Sequence, residues 1–169
     1  DAQTDPLTGL GNRRRLDFSL SLLQADARAF CAIVLDIDHF KRVNDQHGHD
    51  VGDQVLRALA ELMRTCCREG DVLCRTGGEE FLMLLPGASA EIAAMVAERL
   101  RSKVESNLIP EVGKITVSAG IALWPNGDAT PKRTLKLADE ALYQAKQSGR
   151  NRVVIANGRD SLDQTSARP

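Results

Sequence analysis

The chain has 169 residues, of which 43% are hydrophobic and 27% are charged, and its formal net charge at pH 7 is −1. This length and this apolar fraction predict one domain with its own hydrophobic core. The near-neutral charge argues against the basic surface that nucleic acid or membrane binding would need, and no apolar run is long enough to span a bilayer.

Helices and strands are predicted to alternate along the chain. Asn12 is placed to cap a first helix over residues 13–27. The apolar run at 30–35 is too short for a helix and predicts a buried strand over residues 31–36. A polar loop and then a helix over residues 53–68 are expected next. The remaining predicted elements are strands at 72–74 and 81–85 joined by a hairpin, a helix capped by Ser89, a strand at 115–121, a helix that begins at Thr130-Pro131 and ends before Gly149, and a strand at 152–156.

This order of elements predicts an α/β (α+β) fold in which helices flank a central mixed, mainly antiparallel sheet of about five strands. Residues 1–156 form the predicted domain, and the polar residues 157–169 are predicted to be a disordered tail. The cysteines form no CxxC pair and lie in apolar patterns, which predicts reduced core thiols and a cytoplasmic location. They are Cys31, Cys66, Cys67 and Cys74.

An acidic pair is expected at the predicted hairpin. The segment Arg75-Thr76-Gly77-Gly78-Glu79-Glu80-Phe81 lies between its two strands, and glycines supply the positive φ angles that a tight turn requires. Glu79 and Glu80 are therefore predicted at the tip of the hairpin, beside glycines that leave room for a phosphate. The alternative is a solvated turn whose acidity has no function.

A second group of carboxylates follows the buried strand. Asp36 and Asp38 are two residues apart, so in a regular strand they share a face. Unpaired carboxylates are costly at the end of a buried strand, and a divalent cation commonly compensates them. If the hairpin lies beside this strand, Asp36 and Glu79 meet in one site of the kind that Mg²⁺ prefers together with substrate phosphates. These features predict nucleotide chemistry.

Several motifs in order are similar to those of the GGDEF-domain diguanylate cyclases, with Gly77-Gly78-Glu79-Glu80-Phe81 as a variant of the signature. The others lie at residues 5–14, 36–41 with 44–45, 48–53, 118–122, 138–146 and 149–151, so the resemblance runs from about residue 5 to about residue 155. It implies a palm-like fold and the condensation of two GTP molecules into cyclic di-GMP with release of two pyrophosphates. It also implies that the chain is the cytoplasmic catalytic part of a larger sensory protein whose regulatory part lies upstream.

The resemblance implies roles for the acidic residues and one lysine. Asp36, the Ile37 carbonyl and Glu79 would hold Mg²⁺, for which Mn²⁺ is a substitute, and Glu80 would bind a second metal ion. Glu79 is also the candidate acceptor of the ribose 3′-hydroxyl proton. Lys41 would stabilise the transition state from its loop.

The same resemblance assigns Lys146 and Arg150 to the β- and γ-phosphates. They are four residues apart near a predicted helix end and so are expected to share a face. The alternative is a solvated basic turn that complements the helix dipole.

Guanine recognition is implied for Asn44 and Asp53, with Phe40 and His49 near the substrate. A carboxylate can accept from guanine N1 and N2, which adenine cannot offer. Two alternatives remain open, because Asp53 also fits a helix N-cap and His49 could be a structural loop histidine.

A product site is implied as well. Arg68-Glu69-Gly70-Asp71 lies shortly before Gly77, where the family carries an inhibitory RxxD motif. Arg68 and Asp71 would bind cyclic di-GMP as an allosteric inhibitor, with Arg99 contributing from a secondary inhibitory surface. The alternative is an exposed ion pair at a helix end.

Condensation of two GTP molecules is most simply achieved by two domains facing each other, which predicts a transient homodimer. Two other functional classes remain open. One is a non-catalytic receptor for GTP or cyclic di-GMP, and the other is a different nucleotidyl cyclase or a polymerase-like palm.

Overall fold

The computed structural model describes residues 2–157, and the predicted tail beyond Asn157 lies outside them. Within the described residues, five helices and five strands follow one another along the chain. In order they are α1 (Arg13–Ala25), β1 (Phe30–Ile37), α2 (Phe40–His47), α3 (His49–Cys66), β2 (Val72–Gly77), β3 (Glu80–Pro86), α4 (Ala90–Ser106), β4 (Val117–Trp124), α5 (Pro131–Gln147) and β5 (Val153–Ile155).

The strands form one sheet in the order β2-β3-β1-β4-β5. Neighbouring strands are antiparallel except β4 and β5, which are parallel. This mixed, mainly antiparallel sheet with flanking helices confirms the predicted palm-like α/β fold. Every residue of the central strand β1 is buried, because helices cover both of its faces, and this explains its continuous apolar sequence.

Alternate residues of β1 belong to two separate parts of the core. Cys31, Ile33 and Leu35 pack in the cluster that includes α3 and α4. Phe30 and Ala32 pack in the cluster that includes α1 and α5. By the same alternation, Asp36 faces the side of the sheet that α1 and α5 cover.

Helix α5 approaches the sheet closely at one glycine. A Cβ atom at Gly120 of β4 would lie 2.1 Å from the Ala138 carbonyl oxygen and 2.3 Å from the Leu142 nitrogen. No larger residue fits there without moving the helix. Gly120 therefore sets the distance between the sheet and the helix that carries Lys146.

The predicted helix caps are confirmed. The Asn12 side chain accepts a hydrogen bond from the Arg15 amide at the start of α1. Ser89 and Thr130 do the same at the starts of α4 and α5. These polar side chains satisfy amide groups that have no partner within the helix.

Two boundaries between β1 and β2 differ from the prediction. The prediction of a polar loop after β1 is wrong, because residues 40–47 form α2. The two buried residues of this helix, Phe40 and Val43, are three residues apart and so lie on one face. Two apolar positions in eight residues make too weak a pattern to indicate a helix. Helix α3 begins at His49 with Gly48 as its N-cap residue. The N-cap alternative for Asp53 is therefore wrong.

No helix within residues 2–157 combines the length and the apolar character needed to cross a bilayer. The four cysteines are free thiols, and only Cys67 is partly exposed. Burial raises the pKa of Cys31 and Cys74 to about 11 and that of Cys67 to about 12. These three thiols are therefore protonated at neutral pH.

Candidate active site

Two strand pairings bring the acidic residues to one end of the sheet. Asp36 lies opposite Glu80 of β3 and opposite Ser118 of β4. Directly opposed residues in antiparallel strands share a face, so Glu80 lies on the same side of the sheet as Asp36. Gly77 pairs with Glu80, which leaves Gly78 and Glu79 as the turn. Of the two glutamates predicted at the tip, only Glu79 is in the turn.

The Asp36 carboxylate is buried and only half satisfied. Its Oδ2 accepts a hydrogen bond from Lys146 Nζ at 2.6 Å, and its Oδ1 has no hydrogen-bond partner among residues 2–157. Burial raises the pKa of Asp36, the Lys146 ammonium opposes the rise, and the negative charges of Glu79 and Asp38 add to it. A buried acceptor without a partner, close to a second carboxylate, is a place where a cation would be stabilised.

These donors fit Mg²⁺ or Mn²⁺. The oxygen ligands on offer are the Asp36 carboxylate, the Ile37 carbonyl at the last residue of β1, and Glu79. Mg²⁺ commonly takes one or two carboxylates and completes its coordination with water and substrate phosphates. Within the part of the chain that the structure describes, no three His, Cys, Asp or Glu side chains converge as a complete metal site. Nucleotide oxygens and water would therefore have to supply the remaining ligands.

Asp38 is placed differently from Asp36, although the regular-strand prediction put them on one face. Strand β1 ends at Ile37, and the buried Asp38 carboxylate accepts three hydrogen bonds. The donors are Thr116 Oγ1 at 2.7 Å, Ser118 Oγ at 2.7 Å and the Asn151 amide at 3.0 Å. Both Asp38 oxygens are thus occupied by protein groups, whereas one Asp36 oxygen is not.

The two candidate phosphate ligands do not share a helix face. Helix α5 ends at Gln147, and Arg150 lies beyond it with a left-handed φ of +63°, so the helical-spacing argument is wrong for Arg150. Lys146 is in the last turn of α5 and is paired with Asp36. The Arg150 guanidinium forms no hydrogen bond or ion pair with any residue in the range 2–157.

The candidate base-binding residues lie on α2 and α3. Asn44 Oδ1 is buried and has no hydrogen-bond partner among the described residues. A Cβ atom at Gly52 would lie 1.9 Å from this oxygen, so only glycine allows the observed approach. Asp53 follows on α3 and is partly exposed, and His49 is the exposed first residue of that helix. The Phe40 side chain is in the hydrophobic core.

Lys41 is not part of the carboxylate cluster in this structure. Its side chain is 89% exposed, and its ammonium pairs with Asp45 one helical turn further along α2 at 3.1 Å. Such solvated i,i+4 pairs contribute little to stability, so the lysine side chain is free to adopt other positions.

The predicted inhibitory residues line one cavity of 290 Å³. Its wall is formed by Arg68, Asp71 and Arg99 together with apolar residues that include Leu85 and Ile92. Since α3 ends at Cys66, Arg68 and Asp71 belong to the loop that leads into β2.

The loop conformation at this cavity is held by the two charged residues themselves. The Arg68 amide donates to Asp71 Oδ2 at 3.0 Å, and the Arg68 guanidinium donates to the Pro86 carbonyl at 2.8 Å. The Asp71 side chain is buried, while that of Arg68 is 66% exposed. A guanidinium anchored at one side and open to solvent at the other is suited to binding a polar ligand.

Four residues near the site carry roles that sequence reasoning did not assign. Gly52 makes room for Asn44, while Thr116, Ser118 and Asn151 hold Asp38. Gly52, Ser118 and Asn151 lie inside the motifs at residues 48–53, 118–122 and 149–151, and membership of a motif was the only indication in the sequence that they matter. The partners of Asp38 lie 78 to 113 residues from it in the sequence, so spacing alone could not reveal them. Gly52 and Asn44 are only eight residues apart, but they lie on different helices.

The chain is similar to known proteins over most of its length. Residues 2–152 match the family model described as "Diguanylate cyclase, GGDEF domain". The probable diguanylate cyclase DgcT of Escherichia coli (strain K12) is 40% identical over 163 residues, which cover 91% of this chain and 36% of that protein. The response regulator PleD of Caulobacter vibrioides is 41% identical over 162 residues, which cover 90% of this chain and 36% of that protein.

A solved structure is similar over nearly the same region. The GGDEF domain of DgcB from Caulobacter crescentus, in complex with c-di-GMP, matches with a TM-score of 0.85 and 38% sequence identity. The match covers 92% of this chain and 96% of that one. By contrast, the chain spans little more than a third of the length of the two curated relatives, at 36% each.

Proposed function

Because the chain belongs to the GGDEF family of diguanylate cyclases, we propose that it condenses two molecules of GTP into cyclic di-GMP and two pyrophosphates. The observation that carries this proposal is the unpartnered, buried Oδ1 of Asp36 beside Glu79. Lys146 belongs to α5, and Arg150, whose guanidinium has no partner within residues 2–157, belongs to the turn after it. A buried carboxylate with one unpartnered oxygen, beside a second carboxylate and near basic side chains, suits a metal-bound triphosphate.

The proposed metal ligands are Asp36, the Ile37 carbonyl and Glu79, and Glu80 on the Asp36 face would contribute to a second ion. When bound, Mg²⁺ or Mn²⁺ lowers the pKa of the attacking hydroxyl and neutralises charge on the triphosphate. Lys146 pairs with Asp36 in the structure; in the proposed complex the metal ion would take its place beside Asp36, and Lys146 would bind phosphate.

In the proposed reaction, the ribose 3′-oxygen of one GTP attacks the α-phosphorus of the other. The bond between the α-phosphorus and the bridging oxygen breaks, and pyrophosphate leaves with that bonding pair. Glu79 in the hairpin turn accepts the hydroxyl proton. Lys146 and Arg150 hold the β- and γ-phosphates, and Lys41 approaches from α2 to stabilise the transition state.

Asn44 and Asp53 are proposed to select guanine. The buried Asn44 Oδ1 lacks a donor in the protein, and a guanine N–H group would supply one. An adenine base would leave such acceptors unpaired, which lowers affinity. His49 would lie near the base or ribose. Because the Phe40 ring packs in the core, Phe40 would contact the substrate through its backbone.

We assign product inhibition to the cavity lined by Arg68, Asp71 and Arg99. The guanidinium groups can form paired hydrogen bonds to a guanine edge or a phosphate, and the carboxylate can accept from the base. The similar DgcB domain was crystallised with c-di-GMP, which supports binding of this nucleotide to the present chain.

Since one domain supplies one set of GTP ligands, the reaction requires two copies of the chain facing each other. A transient homodimer would bring the two half-sites together and then release the product.

Incubation with GTP and Mg²⁺, followed by separation and mass analysis of the products, tests the proposed function. The expected result is cyclic di-GMP and pyrophosphate in a ratio of one to two. GTP binding without turnover would favour a receptor, and any other cyclic or linear nucleotide would favour a different nucleotidyl transferase.

A further inference from the structure

We propose that Asp38 is a positioning residue that holds the turn at residues 149–151 and thereby fixes Arg150 for the triphosphate. This inference rests on the proposed function, in which Arg150 binds phosphate. It concerns a carboxylate that the proposed chemistry does not use.

The turn after α5 has a backbone conformation that needs external support. Gly149, Arg150 and Asn151 have φ angles of +130°, +63° and +49°. Two successive non-glycine residues in the left-handed region are strained, and such a conformation persists only where neighbouring groups hold it. The Arg150 amide donates to the Ala145 carbonyl at 2.9 Å, which ties the turn to α5.

Asp38 supplies the contact to the sheet. The Asn151 amide donates to Asp38 Oδ2 at 3.0 Å and also lies 3.1 Å from Ser118 Oγ. Thr116 and Ser118 donate to the two carboxylate oxygens, so the carboxylate cannot rotate without losing these bonds. One buried group therefore joins the end of β1, the start of β4 and the turn.

Helix α4 holds the same asparagine from the other side. Arg101 donates to Asn151 Oδ1 at 2.9 Å, and Asn151 Nδ2 donates to Glu105 Oε2 at 3.1 Å. Both the backbone and the side chain of Asn151 are thus fixed. The guanidinium of the preceding Arg150 has no partner within residues 2–157. A fixed backbone that carries a free cation is preorganised for an anionic ligand.

Calorimetric titration with a non-hydrolysable GTP analogue, and in parallel with GMP, tests this role. Asp38→Ala should weaken binding of the analogue by about tenfold and leave GMP binding close to that of the parent chain. Asp38→Asn keeps an oxygen for the Asn151 amide and a side-chain amide for Ser118, so it should restore most of the affinity. In turnover assays, Asp38→Ala should raise KM for GTP more than it lowers kcat.

A double-mutant cycle with Arg150→Ala shows whether Asp38 acts through Arg150. Once Arg150 is replaced, Asp38→Ala should cause little further loss of affinity for the analogue. Fully additive losses, or an equal loss of GMP binding, would overturn the inference. So would an Asp38→Asn variant as impaired as Asp38→Ala, because that result would point to the charge itself.

Two further outcomes keep the inference separate from the proposed function. If Asp38→Ala does not fold, Ser118→Ala removes the hydroxyl that donates to Asp38 Oδ1 and accepts from the Asn151 amide, and it should give the same selective loss for the GTP analogue. The absence of that loss would overturn the inference. A parent chain that binds no GTP, or an Arg150→Ala variant that binds it normally, would instead contradict the proposed phosphate site and the inference with it.

Discussion

The two candidate ligand sites differ in how their charged groups are satisfied. In the candidate active site, Asp36 at the end of β1 and Asn44 on α2 each bury an oxygen without a hydrogen-bond partner among the described residues. In the cavity between α3 and α4, Asp71 also buries an Oδ1 without a hydrogen bond from the described residues, but this oxygen lies 3.6 Å from the Arg68 guanidinium, and Asp71 Oδ2 accepts from the Arg68 amide. The Arg68 guanidinium also donates to the Pro86 carbonyl, and its side chain remains largely in solvent. The unbonded oxygen of the second site thus has a cation within that site, whereas a ligand would have to supply the partners of Asp36 Oδ1 and Asn44 Oδ1. We therefore expect substitutions at the first to change catalysis and those at the second to change regulation.

The largest effect is expected for the two carboxylates that are proposed to hold the metal ion, Asp36 at the end of β1 and Glu79 in the hairpin turn. Asp36→Asn or Glu79→Gln should lower turnover by at least about 100-fold, the usual scale for losing a preorganised charge. Initial rates of cyclic di-GMP formation with GTP and Mg²⁺ measure it. Asp17→Asn, which changes an exposed carboxylate on α1, is the matched control. Near-normal synthesis by either active-site variant would rule out the metal assignment.

A smaller effect is expected where α2 meets α3. Gly52→Ala would place a methyl group 1.9 Å from the present position of Asn44 Oδ1, so Asn44 must move. We expect KM for GTP to rise by about tenfold, the equivalent of one lost hydrogen bond, and the preference for GTP over ATP to decrease. Asn44→Ala should give the same change in preference. Unaltered selectivity in both variants would remove Asn44 from the base site.

In the cavity lined by Arg68, Asp71 and Arg99, a substitution should hardly change the initial rate of the reaction. Arg68→Ala removes the guanidinium that faces this cavity, so product should accumulate to a higher concentration before the reaction slows. Calorimetry with cyclic di-GMP is the direct measurement, and Arg57→Ala, at an exposed position of α3, is the control. If the Arg68 variant binds cyclic di-GMP as tightly as the parent chain does, the cavity is not the product site.

The smallest effect is a pH dependence of stability in the metal-free protein. Burial raises the pKa of Asp36 above its ordinary value of 3.8. At pH values between 3.8 and this raised pKa, the folded state therefore binds more protons than the unfolded state. The contribution of Asp36 to the free energy of unfolding should therefore fall as pH rises through that window. Denaturant titrations of the parent chain and Asp36→Asn, compared across pH, isolate this contribution. A difference that grows in the opposite direction would show that Lys146 outweighs burial.

Local sequence patterns were sufficient to predict most of the fold. The apolar run of β1, the caps Asn12, Ser89 and Thr130, and the glycines of the hairpin each depend on neighbouring residues, and all are found in the structure. Helix α2 was missed because it is short and has only two buried residues. The ordered motifs also identified the family before any contact was known.

Tertiary structure alone decided what the charged residues do. Asp36 and Asp38 look equivalent in the sequence, yet Asp36 pairs with Lys146 and Asp38 binds the Asn151 amide, contacts that span 110 and 113 residues. The position of Arg150 likewise depends on where α5 ends and on what holds the following turn. Periodic burial is a local property that the order of residues determines. Whether a buried oxygen finds a donor depends on which distant segments the packed core brings beside it.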